Sequence, residues 1–223
     1  MSYTRFAIYY LPPEGSLADF GAAWLGWDCV AGRDLVQPDV PGLDDVTMTP
    51  RKYGFHGTLK PPFRLAEGTD LEGLCVAMTR MTQACGPAQS DGLALTSLGR
   101  FLALTPSGDT SGIARVAATC VEVLDAFRAP PSPAELERRR KARLSERQEA
   151  LLQRWGYPYV MEQFRFHLTL TGRLPITEID HWIDTASAYL PPLPAPFVMD
   201  EVALVGERED GRFELIQRYT LAG

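Results

Sequence analysis

The chain carries one short pattern twice, as His56-Gly57-Thr58-Leu59 and as His167-Leu168-Thr169-Leu170, and it has only three histidines in all. An imidazole titrates near neutrality, so one copy can take a proton while another gives one. Two such groups suit cleavage of a phosphodiester without a metal. One would remove a proton from the attacking water or hydroxyl, and the other would protonate the departing oxygen. A threonine hydroxyl two residues on can donate a hydrogen bond to a non-bridging phosphate oxygen. The third histidine, His181, has no such threonine and sits in a predicted amphipathic helix, so a structural or surface role is expected for it.

Each copy lies in an apolar, aromatic stretch, Tyr53-Gly54-Phe55 before the first and Phe164-Arg165-Phe166 before the second. Both read as β-strands. Alternation along a strand puts His56 and Thr58 on one face, with Phe55, Gly57 and Leu59 on the other. His167 and Thr169 share a face likewise, with Phe166, Leu168 and Leu170 behind them. Two polar pairs on apolar anchors suggest two half-sites facing one cleft.

The elements around them alternate. Arg5 to Leu11 reads as a strand ended by Pro12-Pro13, and Ser16 with Asp19 resembles a cap opening a helix to about Trp27. Residues 28 to 50 read as loop. The first motif strand should stop at Pro61-Pro62. Thr69 and Glu72 resemble a capping box for a helix to about Gly86, followed by a strand pair over Leu93 to Leu104 and a helix over 112 to 127. Ser132-Pro133-Ala134-Glu135 is a helix start, predicting one charged helix to Trp155. A helix over 177 to 190 and a hairpin turning at Asp210-Gly211 complete the order. One motif strand per half implies a loose duplication. The expected fold is α+β, mainly antiparallel, as a single bilobal domain over 1–223 with a helical insertion at about 130–156.

Composition narrows the partners. At 223 residues, 45% hydrophobic and 22% charged, the chain is long enough for a full core. A net charge of -6 argues against sequence-blind nucleic-acid binding. No run approaches the roughly 18 apolar residues of a membrane span. Cys29, Cys75, Cys85 and Cys120 show no metal-ligand spacing, and reduced thiols in a cytoplasmic protein are expected. Two histidines without clustered carboxylates or thiols make a poor metal site, so neither metal nor cofactor is expected. No phosphate-cradling glycine loop for a mononucleotide or dinucleotide occurs.

Taken with the order of elements, the paired motifs resemble the two-histidine phosphoesterase superfamily over nearly the whole chain. The longer stretch Arg51-Lys52-Tyr53-Gly54-Phe55-His56-Gly57-Thr58-Leu59-Lys60-Pro61-Pro62-Phe63 is similar to a branch encoded within bacterial phosphonate-utilisation operons. The resemblance implies metal-independent hydrolysis or transfer at a cyclic or 2′-linked phosphodiester. His56 and His167 would be the acid–base pair, in either order, and Thr58 and Thr169 the phosphate-holding hydroxyls. It implies a small phosphorylated substrate, a cyclic ribose phosphate or nucleotide, with an RNA end as a further option. A binding module that keeps the cleft without turnover is the alternative.

Further candidates rest on strand faces. Arg165 would share a face with His167, and Lys60 with His56, so each could offset phosphate charge, or be a solvated cation. Tyr53, with Arg51 and Lys52, could line the entrance. Tyr159 could stack on a base or ribose. Either Arg218 or Tyr219 could reach the cleft. The basic run after Ser132 is interleaved with glutamates, so a solvated face or a lid is expected there.

Overall fold

The structure, a computed structural model, describes residues 3–223. Strand β1, Phe6–Tyr10, is buried along its whole length. Helix α1, Ser16–Leu25, is closed by Gly26 in the left-handed conformation that favours glycine. Ser16 is its first helical residue and makes no capping bond, so the expected Ser16–Asp19 cap does not form. The stretch expected as loop instead holds two-residue strands β2, Trp27–Asp28, and β3, Arg33–Asp34, and helix α2, Leu43–Arg51. Pro50 lies in the last turn of α2 and cannot donate to the Val46 carbonyl one turn back. Gly172 N–H, just beyond the second motif, takes that carbonyl at 2.6 Å. A local defect in one helix thus becomes a tether to the second half of the chain.

Strand β4, Gly57–Phe63, carries Thr58 and runs through Pro61-Pro62. Proline is tolerated because bulges interrupt the β1–β4 ladder there, and the other side of β4 is paired only at Gly57. Helix α3, Leu71–Gln83, is capped by Asp70, whose carboxylate accepts Gly73 N–H at 2.8 Å, so Thr69 is not the cap. Strands β5, Ala88–Ser90, β6, Gly92–Leu98, and β7, Phe101–Ser107, follow, with Gly99 at φ 65° turning the β6–β7 hairpin. Helix α4 is Ser111–Val123. The expected single charged helix is two, α5, Pro133–Arg140, and α6, Glu146–Trp155. Each has its own capping box, Ser132 with Glu135 and Ser145 with Gln148, and Arg143 at φ 52° turns the chain between them. Strand β8 is only Leu168–Thr169, and α7, Ile179–Tyr189, follows. Strands β9, Phe197–Met199, β10, Glu201–Glu207, and β11, Phe213–Thr220, close the order.

Seven strands form one antiparallel sheet in the order β11-β10-β1-β4-β8-β7-β6. The two motif strands are its central neighbours. One half, β11-β10-β1-β4, meets the other, β8-β7-β6, through the single register pair Gly57 and Leu168. The α+β, mainly antiparallel expectation is met, and the halves join edge to edge as one sheet rather than standing as two separate sheets. The main core lies where α1, α3, α4 and α7 cover one face, with Leu59, Phe166, Leu168 and Leu170 from the motif regions pointing into it. A smaller cluster on the other face gathers Ala7, Tyr9, Trp27, Val205 and Phe213. Among the described residues no helix is long and apolar enough to cross a membrane.

Candidate active site

The register at the sheet centre decides the geometry. Gly57 pairs with Leu168 in antiparallel sense. Carried one residue each way, that register sets His56 opposite Thr169 and Thr58 opposite His167. Burial alternates as a strand requires: Phe55, Gly57, Leu59, Phe166, Leu168 and Leu170 are buried, while His56, Thr58, His167 and Thr169 are half-buried. The four polar side chains therefore share one face about a pseudo-two-fold axis through the Gly57–Leu168 pair. His56 and His167 are diagonal neighbours, residue positions that lie about 7–8 Å apart across such a ladder. Glycine is required at 57, because a Cβ there would stand 2.4 Å from the Phe166 ring.

Each imidazole is oriented by a backbone carbonyl two residues upstream. His56 Nδ1–H donates to Gly54 O at 2.9 Å, and His167 Nδ1–H donates to Arg165 O at 2.7 Å. A carbonyl only accepts, so in each neutral ring Nε2 is left as the base. His56 Nε2 lies 2.9 Å from Thr58 Oγ1, which donates to it. Tyr9 stacks on the His56 ring, centroids 3.7 Å apart at 25°. Burial, with a smaller contribution from the charge of His167, pushes the His56 pKa down to about 4.

A cleft of about 350 Å³ opens over this face. His56, Thr58, Thr169, Tyr9 and Tyr53 line it; His167 does not, and its ring stands 5.6 Å from that of Phe101, which does. Arg5, Arg139 and Arg173 also line it, and among the described residues no acidic side chain does. On a chain of net charge -6 this is a local site for an anion. No group of three or more His, Cys, Asp or Glu side chains among the described residues is placed to hold a metal ion.

Two expected phosphate contacts are corrected. Lys60 is on the opposite face, buried, with Nζ donating to Val121 O at 3.0 Å and standing 3.7 Å from Asp125. The cause is a bulge: Tyr9 pairs with Thr58 but Ile8 with Lys60, so Leu59 is an extra residue that reverses the alternation. Arg165 precedes the two-residue β8, so strand alternation does not apply to it. Its guanidinium curls back to Phe164 O at 2.7 Å and lines a separate pocket with Leu98 and Phe164. Its carbonyl, not its charge, serves the site.

Tyr53 is placed in the cleft as expected, 6.0 Å from His56 between ring centroids. Arg51 instead ties α2 to Leu25 O and Gln37. Tyr157 rather than Tyr159 lines the cleft. Arg218 bonds Leu11 O, Tyr219 is buried, and neither lines the cleft; His181 is exposed on α7. Sequence reasoning missed Tyr9, Phe101, Arg5, Arg139 and Arg173 as lining residues.

A family model described as "Protein of unknown function (DUF1045)" matches residues 58–214. A Janthinobacterium sp. (strain Marseille) protein named ribose 1,5-bisphosphate phosphokinase PhnN is 41% identical over 185 residues, 80% of this chain and 41% of that one. A protein of the same name from Laribacter hongkongensis (strain HLHK9) is 37% identical over 189 residues, 83% and 44%. The chain thus spans about two fifths of the length of these relatives. The crystal structure of E. coli LigT complexed with 3′-AMP aligns over 100% of both chains at 13% identity and a TM-score of 0.47.

Proposed function

The chain belongs to the DUF1045 family, and we propose that it is a metal-independent phosphodiesterase of the two-histidine type that opens a cyclic phosphate on a ribose. The observation that carries this reading is the register about Gly57 and Leu168, which sets each histidine opposite the other motif's threonine on one face. In the proposed reaction neutral His56 accepts a proton at Nε2 from water as the water oxygen bonds to phosphorus. His167, protonated, gives its proton to the ribose oxygen as the P–O bond to it breaks. Water is added across one ester bond, and the product is a phosphomonoester. Thr58 releases Nε2 to donate to a non-bridging oxygen, and Thr169 donates to the other. Assigning His56 as the base follows from its lowered pKa, which keeps it neutral at physiological pH.

The relatives' names support a ribose substrate. The chain has no Gly-x-x-x-x-Gly-Lys-[Ser/Thr] loop to cradle a nucleoside triphosphate. We therefore assign the kinase activity to the remaining part of those relatives and ring opening to the part this chain resembles. Opening a ribose 1,2-cyclic phosphate at its 2-oxygen leaves a 1-phosphate, the kind of ester such a kinase would extend. This fits the resemblance to a phosphonate-operon branch.

The test is phosphorus NMR of ribose 1,2-cyclic phosphate and nucleoside 2′,3′-cyclic phosphates with the intact protein, His56→Ala and His167→Ala, all in excess chelator. Turnover only by the intact protein is expected. Equal rates in all three samples would remove the catalytic roles, loss in chelator with rescue by zinc would make it a metalloenzyme, and binding without turnover would make it a binding module.

A further inference from the structure

The cleft does not end at the His–Thr quartet. Beyond Pro62 it continues into a narrow recess of about 40 Å³, and the two cavities share Arg5, Pro62 and Arg139. Four arginines besides Arg139 line the recess, and three of those are matched: Arg5 by Glu207, Arg64 by Glu135 and Arg128 by Asp125. Among the described residues Arg138 and Arg139 form no ion pair; Arg138 is exposed, whereas the Arg139 guanidinium lies over the Tyr157 ring, 4.5 Å from the centroid. An aromatic face holds a guanidinium in place while leaving its N–H fork open to a planar or tetrahedral anion. The half-buried Arg139 comes from α5, the first arm of the helical pair between α4 and β8.

We propose that Arg139 is a clamp for a second phosphate on the same small substrate, so that the enzyme prefers a phosphorylated pentose cyclic phosphate to an unphosphorylated one. The inference rests on the phosphodiesterase reading for the identity of the first phosphate. From Thr58 to Pro62 the strand spans at most about 13 Å. With side chains reaching inward from both ends, the interval left is about one sugar. The recess, about 40 Å³, is too small to thread a nucleotide strand, which favours one terminal anion over an RNA backbone.

The experiment compares kcat/KM for ribose 1,2-cyclic phosphate with and without a 5-phosphate, in the intact protein, Arg139→Ala and Arg140→Ala. Arg140→Ala removes the same charge from the same helix, from a side chain paired with Glu149. The 5-phosphate should raise kcat/KM about 10- to 100-fold in the intact protein and in Arg140→Ala, the range expected for charge-assisted hydrogen bonds. Arg139→Ala should lose about tenfold of that preference, and Arg139→Lys should keep part of it. Calorimetry of ribose 1,5-bisphosphate against ribose 1-phosphate reads the clamp without turnover. If neither cyclic ester reacts but the 5-phosphate still strengthens binding through Arg139, the reaction is wrong and the clamp stands. If both esters react equally and Arg139→Ala leaves their ratio unchanged, the clamp is overturned and the reaction stands. An Arg139-dependent preference for a dinucleotide 2′,3′-cyclic phosphate over both sugars would overturn it in favour of an RNA end.

Discussion

The two half-sites share a motif and an orienting carbonyl, yet their surroundings differ. On the first, Tyr9 of β1 pairs in register with Thr58, and its ring covers His56. On the second, the residue of β7 that pairs with Thr169 is Ala103, which has no ring to cover anything. His167 has instead the tilted Phe101 ring beside it, 5.6 Å between centroids. One flanking position, tyrosine in one half and alanine in the other, therefore separates a stacked imidazole from an unstacked one. The repeated motif supplies two equivalent imidazoles, and the neighbouring strands make their surroundings unequal. Desolvation favours the neutral form of His56.

Removing either imidazole should have the largest effect. His56→Ala and His167→Ala are each expected to lower kcat on a cyclic ribose phosphate by about 10²- to 10⁴-fold. Comparable losses would mean that the two halves act together despite their asymmetry, and a negligible loss from one would break the pairing. Gly57→Ala attacks the junction instead. Its Cβ would press on the Phe166 ring, so a cost of about 1–3 kcal/mol is expected from overpacking, read by thermal melting. Turnover should fall beyond what the melting shift explains, because the half-sites move relative to each other.

The asymmetry itself is sharpened by pH. With the His56 pKa at about 4, the acidic limb of kcat/KM should lie near pH 4, where the base becomes protonated. Tyr9→Ala lets water reach the imidazolium, so the acidic limb should move up towards the ordinary histidine value of about 6.5. The same linkage acts on stability. A folded-state pKa below the unfolded one means stability is present above pH 6.5 and is lost as the pH falls through 4. His56→Gln should therefore flatten the melting temperature between these values. An unchanged acidic limb in Tyr9→Ala would show that stacking does not set the base.

Much of this site was legible because period-two alternation is a strong constraint wherever one face is buried. Phe55, Leu59, Leu168 and Leu170 fix which way His56, Thr58, His167 and Thr169 point. What failed did so where that period breaks. Lys60 follows a bulge, and no composition signal marks the extra residue at Leu59. Arg165 precedes a strand of two residues, too short to impose alternation. Tyr9 was hidden inside Phe6–Tyr10, a run buried on both faces in which no residue contrasts with its neighbours. Helix α2 buries only Leu43, Thr47 and Pro50, too few apolar positions to show a helical period. The turn at Arg143, and with it the placing of Arg139 at the cleft, depends on a second capping box inside a charged run.

The smallest expected effect on activity comes from Lys60, and it separates the two faces of β4. Were Lys60 on the cleft face with Thr58, losing its charge would cost tenfold or more in turnover, as for other charged phosphate contacts. On the face the bulge gives it, Lys60→Met should leave kcat/KM within about twofold. Its effect should be on stability. Burial lowers the Lys60 pKa to about 8, below the unfolded value of 10.5, so keeping the ammonium charged weakens the folded state below pH 8. That cost should fade as the pH rises from 8 to 10.5, where the folded chain has already released the proton. Methionine fills the same space without the charge, and Asp125 keeps its pairing with Arg128 at 2.7 Å. Lys60→Met is therefore expected to raise stability at pH 7 by on the order of 1 kcal/mol, a gain that shrinks at pH 9.5. Thermal melting at the two pH values measures it. A loss of stability at pH 7 would mean that the bonds to Val121 O and Asp125 outweigh the burial of the charge.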